Sequence, residues 1–257
     1  MGDEPDSGKI REFFGKHADD YARSESHKKG QDLSILIEAF RLTGQEDAVD
    51  MATGTGFTAA ALAKLVRRVT AVDITPEMLE NARKLCVENK LGNVDFVLAE
   101  VTGTHLPSES YDLVVTRRAA HHFTDKKGFL VESMRMLRTG GRLAIVDMAV
   151  PEGDMTGFYN RLEKLRDQSH VAALKKSEWL DLLDRSHFEV IECRVFEERM
   201  SLEQWLYPVT IDSPEGRACS EFFHKLSPEE GKAISLESSP DSMVKRRVMI
   251  IARRKYT

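Results

Sequence analysis

Gly54-Thr55-Gly56 and, 19 residues past Gly54, Asp73 are the first residues whose types and spacing suggest chemistry. Glycines lack a Cβ, so the backbone can approach a ligand closely while its amides face it. A carboxylate at that distance can accept hydrogen bonds from both ribose hydroxyls of an adenosine and repels a 2′-phosphate. The pattern therefore predicts a nucleotide-like cofactor. A second polar concentration lies in Thr116-Arg117-Arg118-Ala119-Ala120-His121-His122-Phe123. Guanidinium groups can hold a carboxylate or phosphate bidentately, and a histidine can take a proton near neutral pH. Arg118 and His122 are the leading pair. Leu165-Arg166-Asp167-Gln168-Ser169-His170 adds Arg166 and His170.

Those residues need elements to position them. Ile10 to Phe40 carries helical apolar spacing with a break at Ser24-Glu25-Ser26, so two helices precede the first strand. Strands are predicted over 48–52, 69–72, 94–98, 111–116 and 142–148, separated by helices at 59–66, 76–89 and 128–137, with Gly140-Gly141 turning into the fifth strand. This alternation predicts an open α/β architecture, a parallel sheet with helices on both faces. Ligands then sit beyond the carboxyl ends of the strands, where the Arg117–His122 run falls. Past Pro151 the pattern loosens. Helices at 155–165 and 177–185 and strands at 188–195 and 247–252 are predicted. Leu202 to Asp241, with Pro208, Pro214, Pro228 and Pro240, reads as short helices and loops over the site.

With 257 residues, 41% hydrophobic and 31% charged, the chain is read as one domain over 1–257. Helices at 10–45 cap a cofactor-binding core at 46–150, and 151–187 and 200–243 cover the substrate. A net charge of −5 offers no general attraction to nucleic acid. Lys245-Arg246-Arg247 and Arg253-Arg254-Lys255 are read as solvated ends of the last strand. Cys86, Cys193 and Cys219 are too few and scattered for a disulfide framework, and the N-terminus is acidic where a secretory signal would be basic. No apolar stretch approaches the ~20 residues of a membrane span. These features predict a soluble cytoplasmic protein without a metal site.

Each polar candidate also has a plain packing role open to it. One histidine of the pair can sit in the loop core, one arginine can pair with Asp125, and adjacent His121 and His122 are expected to point apart. Trp179 and Trp205 are expected in the core. Phe123, Phe158 and Tyr159 suit either a core or an apolar pocket wall.

The glycine loop alone leaves the cofactor open, because Gly54-Thr55-Gly56-Phe57-Thr58-Ala59 also satisfies the fingerprint of NAD enzymes. Against an NAD-dependent oxidoreductase, no tyrosine is followed four residues later by lysine. Four segments in order carry a more specific likeness: Val49-Asp50-Met51-Ala52-Thr53-Gly54-Thr55-Gly56, Val69-Thr70-Ala71-Val72-Asp73-Ile74-Thr75-Pro76-Glu77-Met78-Leu79, Tyr111-Asp112-Leu113-Val114-Val115, and Met136-Leu137-Arg138-Thr139-Gly140-Gly141-Arg142-Leu143. The chain resembles class I methyltransferases that use S-adenosyl-L-methionine (SAM), in particular the ubiquinone/menaquinone C-methyltransferase-like branch, over roughly residues 10 to 200.

The resemblance implies a Rossmann-like sheet of seven mostly parallel strands, the last antiparallel. It implies a methyl transfer to a small-molecule acceptor such as a quinone-like or phenolic ring, with S-adenosyl-L-homocysteine (SAH) as product. Asp50 and the backbone at Ala52 and Gly54, in the loop closed by Gly56, would hold the methionine end of SAM. Asp73 would take the ribose, Ile74 an adenine face, and Glu100 with Val101 the adenine edge and ring. Tyr21 would cap the cofactor with Arg117 nearby, while Arg118, His121 and Arg166 would meet the acceptor. His122 or His170 would be the base. The chain departs from the family pattern in two places: Ala52 replaces the first motif glycine, which suits it only if φ stays negative, and Glu100 stands where a shorter Asp is usual. A partner protein that binds SAM without catalysis is the remaining alternative.

Overall fold

The computed structural model describes residues 7–23, 28, 30–207, 209–238 and 241–255. The expected break at Ser24-Glu25-Ser26, together with Pro208 and Pro240, lies outside the described residues. Helices α1 (Ser7–Ala22) and α2 (Gln31–Phe40) lie before the first described strand, β1 (Asp47–Met51). The alternation then runs α3 (Phe57–Ala63), β2 (Arg68–Asp73), α4 (Pro76–Glu88), β3 (Val94–Leu98), β4 (Tyr111–Arg117), a 3-10 turn at Ala120–His122, α5 (Lys126–Met136) and β5 (Leu137–Val150). Beyond it lie α6 (Phe158–Arg166), β6 (Leu174–Lys175), α7 (Lys176–Arg185), β7 (Phe188–Ser201), α8 (Leu202–Leu206), α9 (Pro214–His224), α10 (Pro228–Ala233), β8 (Glu237–Ser238) and β9 (Asp241–Arg254).

The main sheet has the order β3-β2-β1-β4-β5-β9-β7, with β6 and β8 as short additions on β5 and β9. Strands β1 to β5 are parallel to one another, and β9 runs antiparallel between β5 and β7. This is the Rossmann-like α/β sheet with an antiparallel last strand. The central strands are apolar because helices cover both faces: every residue of β1 is buried, whereas edge strand β3 is only partly so. One core under the sheet joins Val49, Val72, Leu143, Ile145, Val248 and Ile250 to Phe129 and Trp179. The opposite face packs Leu113, Val115 and Val146 on Leu36, Phe40 and Leu62.

Two boundaries differ from the sequence reading. Strand β5 begins at Leu137, because the Gly140 backbone, at φ 77, bulges 138–141 out between the Tyr111↔Leu137 and Leu113↔Arg142 pairings. Strands β7 and β9 extend six residues further than the apolar run implied, to the Ser201↔Ser242 pair. Across the added registers Glu197 pairs with Arg246 and Glu198 with Arg247, each at 2.8 Å, so cross-strand charge pairing supports a ladder that hydrophobic periodicity does not reveal. The reading of Lys245 to Arg247 as a solvated strand end is thereby corrected. Lys245 is 9% exposed and the Arg247 side chain 15%, and both line an internal chamber.

Helices α6, α8 and α9 share a third core, in which Phe158, Tyr159, Leu162, Trp205 and Phe223 pack on Met148, Val150 and Met243. They stand on the carboxyl ends of β5 and β7 and roof that side of the sheet. Among the described residues, no helix is long and apolar enough to cross a membrane.

Candidate active site

The loop after β1 is bent by three left-handed residues in five: Ala52 at φ 56, Gly54 at φ 55 and Gly56 at φ 86. Ala52 does not keep the negative φ expected of it. Its Cβ sits in a region that costs an L-residue roughly 1–2 kcal/mol, and the loop carries that strain. Gly56 serves packing: a Cβ there would lie 2.8 Å from Cβ of Ala82 on α4. Asp73 closes the loop from the next strand, its two oxygens accepting from the amides of Gly54 at 2.8 Å and Thr75 at 2.9 Å. Burial raises its pKa in spite of these donors.

A groove of about 160 Å³ runs along the carboxyl ends of β1 to β4, lined among others by Tyr21, Ala52, Gly54, Asp73, Ile74, Glu100, Val101, Arg117, Arg118 and His122. Two expected cofactor residues do not line it. Gly56 is one, and Asp50 is the other, 1% exposed behind the loop, where its Oδ2 accepts from the Thr53 hydroxyl at 2.6 Å. Burial pushes the Asp50 carboxyl up to about 7. Asp50 thus holds the Thr53 side chain from behind the loop.

A larger chamber of about 750 Å³ opens beside the groove, lined by Asp32, His121, Asp147, Arg166, Trp205, Lys245 and Arg247 among others. The two spaces share Phe14, Tyr21, Arg118 and His122. Arg117 and Arg118 do not pair with Asp125, which instead caps α5 by accepting from the Gly128 amide at 2.7 Å. Both arginines converge on Asp32 of α2. Arg117 donates to it through Nε at 3.0 Å and Nη2 at 2.9 Å, and Arg118 through Nε at 2.9 Å and Nη2 at 2.8 Å. Burial alone would raise Asp32, but hydrogen bonds and charge from the two guanidiniums hold it well below the usual carboxylate range. The forks expected for an acceptor are therefore occupied by the protein's own acid, and Arg118 serves as the partition between groove and chamber. No sequence signal marked Asp32, an ordinary first-turn acid of a helix.

The two adjacent histidines do not point apart. On the 3-10 turn their rings lie 4.0 Å apart, with His170 5.6 Å beyond His121. His121 Nδ1 lies 2.6 Å from Asp147 Oδ1, and its backbone amide donates to Oδ2 at 2.6 Å. Burial holds His121 well below its ordinary pKa and pushes Asp147 up to about 6. Asp147 was missed in the sequence, although an acid inside the run Ala144-Ile145-Val146-Asp147-Met148 at a strand's carboxyl end is a readable signal. His122 Nδ1 faces the Ser169 carbonyl at 3.0 Å, which can only accept. The hydrogen of the neutral ring is thus on Nδ1, leaving Nε2 as a lone-pair acceptor. The edge of Phe14 packs on His122 with centroids 4.8 Å apart.

His170 is separated from this arrangement. It is 1% exposed, lines neither space, and lies 2.8 Å through Nε2 from Asn160 Oδ1, which also accepts from the Ala173 amide. As a base candidate it is corrected to a packing residue. Burial, then neighbouring His121, pushes it down to about 3. Because the unfolded chain binds this proton near the ordinary value of 6.5, the histidine favours folding above that pH and the contribution is lost as pH falls toward about 3. Wild type should lose about 2 kcal/mol more stability than His170→Gln between about pH 7 and pH 5, in urea titrations. Equal losses would contradict this burial.

Arg166 lines the chamber, stacked 5.3 Å from the Trp205 ring and donating to Glu163 at 2.8 Å. Glu163, 0% exposed, also accepts from Trp205 Nε1 at 3.1 Å. Trp179 lies in the core as expected, whereas Trp205 is both core and chamber wall. Phe123 lines the groove, and Phe158 and Tyr159 are core. Among the described residues no group of three or more His, Cys, Asp or Glu could hold a metal ion.

Comparison with known proteins decides the family. A family described as "Methyltransferase domain" matches residues 49–145. An uncharacterized methyltransferase of Bacillus subtilis (strain 168), YcgJ, is 30% identical over 201 residues, covering 78% of this chain and 76% of that protein. This chain belongs to the methyltransferase family. A Bacillus halodurans crystal structure assigned to the methyltransferases superposes with a TM-score of 0.83 at 32% identity, over 88% of this chain and all of the other. The ubiquinone/menaquinone biosynthesis C-methyltransferase UbiE of Shewanella halifaxensis (strain HAW-EB4) is 26% identical over 164 residues, 62% of this chain and 63% of that protein. The protein is a SAM-dependent methyltransferase, and the oxidoreductase and non-catalytic alternatives give way. The groove suits that cofactor in the chemistry of its lining. Acidic Asp73 and Glu100, apolar Ile74 and Val101, the bent Ala52–Gly54 backbone, Tyr21 and Arg117 all line it.

Proposed function

We propose that this methyltransferase acts on a small molecule held in the chamber, reaching the cofactor across the boundary formed by Phe14, Tyr21, Arg118 and His122. The observation that carries this reading is that the two spaces meet at those side chains. Asp73 accepts from the ribose hydroxyls, Ile74 and Val101 face the adenine ring, and Glu100 accepts from its amine. The Ala52–Gly54 backbone, Tyr21 and Arg117 face the methionine end. Asp50 and Gly56 act behind the loop, on its shape and its packing. When bound, SAM supplies an electrophilic methyl group on a sulfonium.

The protein's own part is alignment, water exclusion and proton removal. Phe14 and Tyr21 cover the boundary. His122, with Nδ1 donating to Ser169, presents Nε2 to take the proton that an acceptor hydroxyl or activated carbon loses. His121, fixed by Asp147, offers a hydrogen-bond acceptor beside it. The likeness to a quinone C-methyltransferase supports a phenolic or quinone-like ring, which Met148, Phe196, Met200 and Trp205 of the chamber suit.

The test is transfer of label from methyl-labelled SAM into the small-molecule fraction of a cell extract, with the protein and nucleic-acid fractions assayed separately. Label should enter the small molecules. His122→Ala should lower that rate by on the order of 100-fold or more while SAM affinity stays within about threefold. Label confined to macromolecules would overturn the acceptor class, and an unchanged rate would remove His122 as the base.

A further inference from the structure

Among the described residues, the chamber contains a cation that the protein leaves without a hydrogen bond. Lys245 is 9% exposed and lines the chamber from β9. Its ammonium has one ion-pair neighbour among those residues, Glu163 Oε1 at 3.7 Å, which is beyond hydrogen-bond reach. Glu163 is already committed to Arg166 and Trp205. Arg118, Arg166 and Arg247 are among the guanidiniums that line the same chamber. Burial and these cations push the Lys245 amine down to about 8, against the pull of Glu163.

Each carboxylate lining the chamber has a partner other than Lys245. Asp32 takes Arg117 and Arg118, and Asp147 takes His121. Asp167 accepts from Ser169, and Glu197 from Arg246. Asp20 lies 3.0 Å from Arg23 at the mouth. Glu198, 56% exposed on its side chain, holds Arg247 through Nη1 alone at 2.8 Å, so the rest of that fork is uncommitted among the described residues. A nearly buried ammonium without an acceptor is costly, and an oxyanion that enters with a ligand relieves the cost through short charge-assisted hydrogen bonds.

We propose that Lys245, flanked by Arg247 and Arg166, is an anion-binding subsite, and that the acceptor is an amphiphile whose oxyanion, a carboxylate or a phosphate ester, docks there. Its apolar body lies along Met148, Met200 and Trp205, and its reacting atom reaches His122. This rests on the reading of the chamber as the acceptor site. It narrows the acceptor from any small aromatic molecule to an anionic one, and it gives the inward-facing charges of β9 a purpose that strand pairing alone does not.

The experiment titrates the full chain, saturated with SAH, with phenyl phosphate, benzoate and neutral benzyl alcohol, followed by ligand-observed NMR. At least one anion should bind about tenfold or more tighter than benzyl alcohol, and the better of the two names the oxyanion. Lys245→Met should weaken the anion about tenfold and leave SAH affinity unchanged. Lys255→Met, which removes an equal charge outside the chamber, should change neither. Should Lys245→Met fail to fold, Arg247→Met carries the same expectation. Equal binding of anion and alcohol beside SAH, or unchanged anion affinity in Lys245→Met, would overturn the anion-binding subsite while leaving the acceptor chamber intact. Displacement of SAH by all three probes would overturn both.

Discussion

Asp73→Ala should lower the affinity for SAM and SAH by on the order of 100-fold or more, the cost of two hydrogen bonds from ribose hydroxyls to an ionised acceptor. The carboxylate stands at the end of β2 and also fixes the glycine loop, through the Gly54 amide at 2.8 Å. Its removal therefore acts on the ligand and on the loop that approaches it. Asp73→Asn, which keeps an acceptor for that amide, should lose less. Calorimetric titration of both variants with SAM, SAH and NAD reads the effect. Unchanged SAM affinity in Asp73→Ala would remove the ribose assignment.

Asp32→Ala should destabilise the protein by about 3–5 kcal/mol, because it withdraws the shared carboxylate from two guanidiniums whose side chains are 3% and 11% exposed. The surface pair Arg185 with Asp181, 75% and 59% exposed, gives the contrast: Asp181→Ala should cost less than about 1 kcal/mol. Urea unfolding of the two variants makes the comparison. Asp32 also fixes Arg118 as the partition between groove and chamber, so its loss should blur the boundary and lower turnover beyond what stability explains. Equal, small losses in both variants would show that the arginines find other acceptors.

The parts of this site legible in the sequence are those in which one continuous segment carries both the element and the chemistry. The glycine turn after β1, Asp73 ending β2, Glu100 and Val101 after β3, and the Arg117–His122 run after β4 each follow directly from strand and loop patterning, because parallel strands bring their carboxyl ends to one edge. What the sequence hid depends on contacts between distant segments. Asp32 and Arg117 are 85 residues apart, and nothing local tells a first-turn acid from a buried counter-ion. Lys245 and Arg247 look like a solvated strand end until the long β7–β9 ladder turns alternate residues inward. Asp50 sits in the motif by position but points behind the loop, which only the side-chain direction of a fully buried strand decides. His121 and His122 were expected to diverge, as neighbours in extended chain do. A 3-10 turn held by the Ser169 and Asp147 contacts brings their rings together instead.

A crystal structure of the protein with SAH bound reads the placement of the cofactor directly. The expected placement has the ribose at Asp73, the adenine between Ile74 and Val101, and the sulfur directed at the boundary of Tyr21, Arg118 and His122, with the chamber left open for an acceptor. A sulfur directed away from His122, or SAH seated in the chamber itself, would contradict it.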